Sequence, residues 1–177
     1  QNSRLVWIAA STHQDDEIEV LDAYALLKQR HPKLMLVIVP RHPERFQSTT
    51  QACRNKGFNT QLRSQSGLYD IDADVFVVDT MGELLEFYAS SDIAFVGGSI
   101  ANIGGHNVLE AAVFSLPVLV GPNTHNFSEI TQLLNDCGGS QTVHDANDII
   151  RSMEYLIENE EARIQMGKVA KELVNQN

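Results

Sequence analysis

The stretch Leu5-Val6-Trp7-Ile8-Ala9-Ala10, continued by Ser11-Thr12-His13-Gln14-Asp15-Asp16, decides the fold class. Its six consecutive apolar residues do not alternate with polar ones. Such a run reads as a strand covered on both faces, as in a parallel sheet. The polar turn at residues 11–15 then opens a helix. Asp15 or Asp16 can cap it, Glu17 and Glu19 suit its dipole, and Ile18, Leu21 and Ala25 share one face. His31-Pro32 ends that helix, because the residue before a proline avoids helical backbone.

The pattern continues outward. Further strands are expected at 34–39, where Pro40 stops the run, and at 60–63, 75–78, 93–96, 117–120 and 141–143. Helices are expected at 43–56, ended by Gly57, and at 82–90 with Leu84, Leu85 and Tyr88 inward. Others are expected from His106 to about Phe114, and at 127–134, 145–158 and 160–174, while residues 64–72 read as a polar turn. Strands alternating with helices predict an α/β fold, a Rossmann-like parallel sheet with helices on both faces. No internal repeat, low-complexity tract or linker divides the 177 residues, so 1–177 reads as a single domain.

Bulk properties narrow the partners. A net charge of -10 argues against nucleic acid or anionic lipid as a general partner, while leaving room for a local cationic pocket. Cys53 and Cys137 stand far apart, so neither a zinc site nor a redox motif is suggested, and a reducing compartment fits. The apolar runs are strand-sized, far short of the roughly 20 residues that span a bilayer. No signal peptide is visible, and a start at Gln1 rather than methionine reads as a fragment or a processed product.

In open α/β sheets ligands bind beyond the carboxyl ends of the strands. That singles out residues 11–15, 40–43, 79–83, 98–107 and 121–127, which follow strands and should share one rim. Gly97-Gly98-Ser99 through Gly104-Gly105-His106-Asn107, then Leu109-Glu110, is the strongest signal. Glycines let backbone approach a ligand, and the start of the following helix suits a phosphate. His106 or Asn107 can cap that helix or donate to a phosphate oxygen. Glu110 sits where it can accept from ribose hydroxyls, or it is a plain surface acid. The segment is neither a Walker A loop nor a dinucleotide fingerprint, since no Gly-Lys-Ser/Thr follows and the first strand leads into Ser11-Thr12-His13. Those three side chains can donate to a phosphate or carboxylate, or cap the next helix.

Pro40-Arg41-His42-Pro43-Glu44-Arg45-Phe46 has two stiffening prolines and an arginine, Arg41, able to grip phosphate or carboxylate or to stack on a base. Arg45 reads equally as a surface residue. In Asp79-Thr80-Met81-Gly82-Glu83-Leu84 the Gly82 turn can present backbone groups to a base edge, and Met81 can pack on its plane. Glu83 alone reads better as a first-turn acid. Asn123, Thr124, His125 and Asn126 offer polar groups for a sugar, or Asn126 caps a helix. The run His13, Asp15, Asp16, Glu17 looks metal-like in composition but reads as a solvent-facing acidic patch, and no metal site or cofactor is expected.

Taken together, Trp7-Ile8-Ala9-Ala10-Ser11-Thr12-His13, Val39 through Phe46, Asp79 through Leu84, Val96 through Ser99, Gly104-Gly105-His106-Asn107 with Leu109-Glu110, and Gly121-Pro122 with Asn126-Phe127 resemble the Kdo transferases of lipopolysaccharide biosynthesis. The blocks stand in family order from Ser3 to about Phe127, and the tail matches more loosely. The resemblance implies the C-terminal half of a GT-B glycosyltransferase. That family transfers 3-deoxy-D-manno-octulosonic acid (Kdo) from CMP-Kdo to the lipid A precursor at the cytoplasmic face of the bacterial inner membrane. It further implies that the acceptor site, membrane anchor and general base belong to an N-terminal domain absent from this chain, so CMP binding with little or no transfer is expected.

Carried over by position, Ser11, Thr12 and Arg41 match polar donor-pocket residues. Pro40, Met81, Gly82 and Glu83 match the surroundings of cytidine, Gly105 and Asn107 the phosphate turn, and Glu110 the ribose contact. Ser99 and His106 complete the donor-binding set. Asp15 departs from a common glycine, Val108 from a common proline, and Ala101-Asn102-Ile103 from a more charged segment. Two other readings compete: the donor domain of a UDP-sugar transferase or epimerase, and a non-catalytic nucleotide-binding or interaction module.

Overall fold

The structure, a computed structural model, describes residues 4–65 and 72–176. Most of the turn expected at 64–72 therefore lies outside the described residues. Seven strands form one parallel sheet in the order β3-β4-β2-β1-β5-β6-β7. They are β1 Val6–Thr12, β2 Met35–Pro40, β3 Thr60–Leu62, β4 Val75–Val77, β5 Ile93–Val96, β6 Val118–Val120 and β7 Ser140–Thr142. The helices between and after them are α1 Gln14–Arg30, α2 Phe46–Asn55, α3 Leu84–Ala89, α4 Leu109–Ala112, α5 Ser128–Asp136, α6 Ala146–Glu158 and α7 Glu160–Gln176.

The unbroken apolar strands are explained by two cores. From β1, Val6, Ile8 and Ala10 enter one layer with Tyr88, Ala111 and Ala170, whereas Trp7 and Ala9 enter the other with Tyr24, Cys53 and Met153. Strands β2 and β5 divide in the same alternating way, so each of these three central strands feeds both layers. Each large apolar side chain so buried contributes roughly 1.5–3 kcal/mol.

Two expected helix faces are corrected. Helix α1 buries Asp16, Glu17, Val20, Leu21, Ala23, Tyr24 and Leu27 and leaves Ile18 exposed. Leu85 is likewise exposed on α3, and Tyr88 alone of the three residues expected inward is fully buried. The helix expected from His106 to Phe114 is also shorter. It runs only over Leu109–Ala112 and gives way to a turn in which Ser115 adopts a φ of 61°.

Candidate functional site

Strand β1 lies between β2 and β5, so the sheet order runs outward from it in both directions. Such a switch point opens a crevice at the carboxyl end of the central strands. Here β1 ends irregularly. Its register against β2 shifts between Ala10 and Thr12, and Ser11 takes a left-handed φ of 56°. A bulge of this kind re-aims a side chain at the strand end. Gly97, just beyond β5, closes against the same point: a Cβ there would lie 2.5 Å from the Ser11 carbonyl oxygen. Glycine is what lets the two strand ends touch.

Asp16 holds the glycine-rich loop over this crevice. Its Oδ2 accepts from the backbone N–H of His13 at 2.9 Å and of Gly98 at 2.8 Å, and its Oδ1 from Ile100 at 3.0 Å and Ala101 at 2.9 Å. One carboxylate thus caps α1 and fixes the loop after β5. Its neighbour Glu17 accepts from the hydroxyls of Thr12 at 2.8 Å and Thr49 at 2.9 Å and pairs with Arg45 at 2.5 Å. The acidic run expected to face solvent is therefore structural at Asp16 and Glu17, both buried, and only Asp15 is exposed. The stretch 121–127 braces the loop from the other side. Asn123 Nδ2 donates to Ile100 O at 3.1 Å and Asn126 Nδ2 to Ile103 O at 3.2 Å. Those two amides tie loops together, and the cap of α5 is Phe127 rather than Asn126.

A cleft of about 350 Å³ opens at this rim. Ser11, Pro40 and Arg41 line one side, Met81, Gly82 and Glu83 a second, and His106, Asn107 and Glu110 a third. All five strand-end segments contribute, since Phe127 closes the wall beyond β6. Val39, Thr80 and Leu84 also line it. With Phe127, these residues lie within the motifs, but nothing in their residue type marks them as contacts. Three marked residues stay outside the lining. Thr12 is fully buried with its hydroxyl given to Glu17. Ser99 is fully buried, donating to Val96 O at 2.6 Å and accepting from Gly121 N–H at 2.8 Å. Gly105 folds its N–H back onto Gly98 O at 2.8 Å. These three shape the walls.

The cleft's charge comes from side chains more than from a helix terminus. With only four residues, α4 carries little macrodipole, and Asn107 Oδ1 already accepts from Leu109 N–H at 3.0 Å. Among the described residues Arg41 forms no ion pair and is exposed beside the cleft. Glu83 is held below the usual carboxylate range by the Thr80 hydroxyl, 2.5 Å away, and by Arg63 at 3.0 Å. Three imidazoles converge behind Arg41. The His13 and His106 rings lie nearly parallel and meet through their Nε2 atoms, 3.1 Å apart with centroids 5.3 Å apart, and His42 meets His13 edge-on at 5.5 Å. Burial, then the neighbouring His13, pushes the His106 pKa down to about 4. Burial also lowers that of His13, against the pull of Asp16.

A parallel sheet with a polar cleft at its switch point defines the class: a Rossmann-like α/β domain of the kind found in GT-B glycosyltransferases. Residues 8–173 match the glycosyl transferases group 1 model, and the chain belongs to that family. The 3-deoxy-D-manno-octulosonic acid transferase of Haemophilus influenzae is 38% identical to it over the whole chain, which spans 42% of that relative's length. A probable mitochondrial 3-deoxy-D-manno-octulosonic acid transferase of Arabidopsis thaliana is 38% identical over 73% of this chain and 29% of its own. Among solved structures, the C-terminal CMP-Kdo binding domain of WaaA from Acinetobacter baumannii superimposes with a TM-score of 0.92 at 34% identity, covering 98% of this chain and 90% of that one. TarM of S. aureus, at a TM-score of 0.73 and 11% identity, covers all of this chain and 34% of its own, and shares the fold alone.

Proposed function

We propose that this chain binds CMP-Kdo and serves as the donor domain of a Kdo transferase acting on the lipid A precursor. The observation that carries the reading is the convergence of nine of its twelve candidate donor residues on one cleft. In this reading Met81 and Gly82 bound the cytosine, Glu110 accepts from ribose hydroxyls, and Arg41 with His106 faces the phosphate. As the sugar bond breaks, negative charge grows on the CMP phosphate. A guanidinium fixed beside it stabilises that charge more in the transition state than in the ground state. The acceptor, the general base and the contact with the cytoplasmic face of the inner membrane belong, in the same reading, to the part of the enzyme that precedes this domain.

Calorimetry with CMP, UMP and UDP tests the donor assignment. CMP is expected to bind most tightly, because a site built for the cytosine exocyclic amine leaves a buried acceptor unpaired when uracil enters. Tighter binding of UDP would overturn it in favour of a UDP-sugar enzyme.

A further inference from the structure

His13 and His106 make a contact whose chemistry is constrained. Their Nε2 atoms are 3.1 Å apart, and two imidazole nitrogens at that distance must share one proton, one donating and the other accepting. In the neutral pair, one ring then carries its proton on Nε2 and the other on Nδ1. A second proton, taken from solvent, can enter only at the free Nδ1. The pair then carries one positive charge, keeps its Nε2–H–Nε2 bond, and presents an N–H donor at both Nδ1 atoms.

The surroundings disfavour charge on the empty pair. Arg41 and His42 stand on it from the loop after β2, and Arg45 from the turn that follows. Asp16, on α1, is the one acidic group among those acting on both rings, and its carboxylate is already occupied by four backbone N–H groups. Arg45 is neutralised by Glu17, whereas Arg41 is not paired among the described residues. Glu110 lines the same cleft from α4, and His125 stands next to the Gly104 turn. Burial and an unpaired guanidinium thus oppose charge on the rings until an anion arrives. A phosphate in the cleft reverses the balance, since an opposite charge within a few ångströms favours the protonated form.

We propose that His13 and His106 act as one proton-sharing dyad that gains a proton when the donor's phosphate enters the cleft. His106, on the cleft wall, touches the ligand, and His13 is a positioning residue that holds the shared proton behind it. The pocket is thereby more positive when filled than when empty, and the added charge is in place when the leaving phosphate needs it. The proposal rests on the CMP reading above.

Imidazole nitrogen NMR of the ¹⁵N-labelled chain at pH 6.5 reads the dyad directly. Without ligand both rings should give neutral-tautomer signals. With saturating CMP the pair should show the nitrogen shifts of one added proton. In parallel, CMP affinity is compared between the parent and His13→Gln from pH 8.0 to 6.0, a ratio in which the titration of CMP itself cancels. The parent's advantage should grow toward about tenfold per pH unit as the pH falls. His106→Gln should flatten the same profile, and a purely structural role for either ring would leave the ratio constant with pH. CMP binding with both rings still neutral, or a His13→Gln profile parallel to the parent's, would overturn the dyad while leaving the CMP site intact. Failure of CMP to bind would remove both.

Discussion

Asp16 shows how much one side chain can decide. Its buried carboxylate accepts four N–H groups drawn from the start of α1 and from residues 98–101. Asp16→Asn replaces one oxygen with an amide that faces donors with donors, so a loss of about 3 kcal/mol is expected in urea denaturation. CMP binding should weaken with it, as the loop over the cleft loses its anchor. Unchanged stability would show that the loop holds itself. The sequence revealed Asp16 as a helix cap only, because its bond to Gly98 spans 82 residues and leaves no local trace. The place of Arg41 on the cleft wall, by contrast, follows from its position between two prolines at the end of a strand. Arg41→Ala should cost CMP roughly 1.5–3 kcal/mol of binding, about ten- to a hundredfold in Kd. His106 adds a pH effect on the unliganded chain. Its folded pKa is near 4, whereas in the unfolded chain it titrates near the ordinary value of about 6.5. Between these values the unfolded chain binds more protons, so stability falls as the pH drops through that window. The urea midpoint of His106→Gln should decline less steeply from pH 6.5 to 4.5 than the parent's, and an equal or steeper decline would contradict the assignment.

At the scale of elements, patterning placed every strand within a residue or two but misjudged the helices α1, α3 and α4, the first and last for identifiable reasons. The buried face of α1 is set by Asp16 and Glu17, polar residues drawn inward by the loop and by Arg45. An apolar stripe counted along the sequence therefore picked Ile18, which ends up in solvent. Helix α4 is short because the chain must turn at Ser115 to reach Pro117 and β6, a demand of the sheet that propensity does not register. That turn also explains a glycine within a helix. Gly167 of α7 lies so close to Ser115 that a Cβ would collide with the Ser115 carbonyl oxygen and press on Pro117 Cδ at 3.3 Å. In an exposed helix Gly→Ala stabilises by about 1 kcal/mol. Here Gly167→Ala is expected to destabilise by about 2 kcal/mol, because α7 must back away from the turn. A rise in Tm for this variant would mean that α7 docks more loosely than the structure has it.

For the molecule as a whole, what matters is that the cleft does not exist in any part of the chain taken alone. Its walls come from the carboxyl ends of β1 and β2 and from residues after β2, β4, β5 and β6, brought together by strand order rather than by sequence proximity. That the five segments share one rim is expected from their positions after strands, but which walls face each other depends on a topology in which β1 and β5 become neighbours across more than eighty residues. A ligand in such a cleft binds the folded state and has no counterpart in the unfolded one, so its binding raises stability by an amount set by the ratio of its concentration to Kd. CMP at a hundred times its Kd should stabilise the chain by about 2.7 kcal/mol, which for a domain of this size raises Tm by about 5–10 °C. The shift should grow with the logarithm of CMP concentration, exceed that given by UMP, and shrink in Arg41→Ala. If CMP shifted Tm equally in the parent and in Arg41→Ala, the nucleotide would be binding somewhere other than the switch-point cleft.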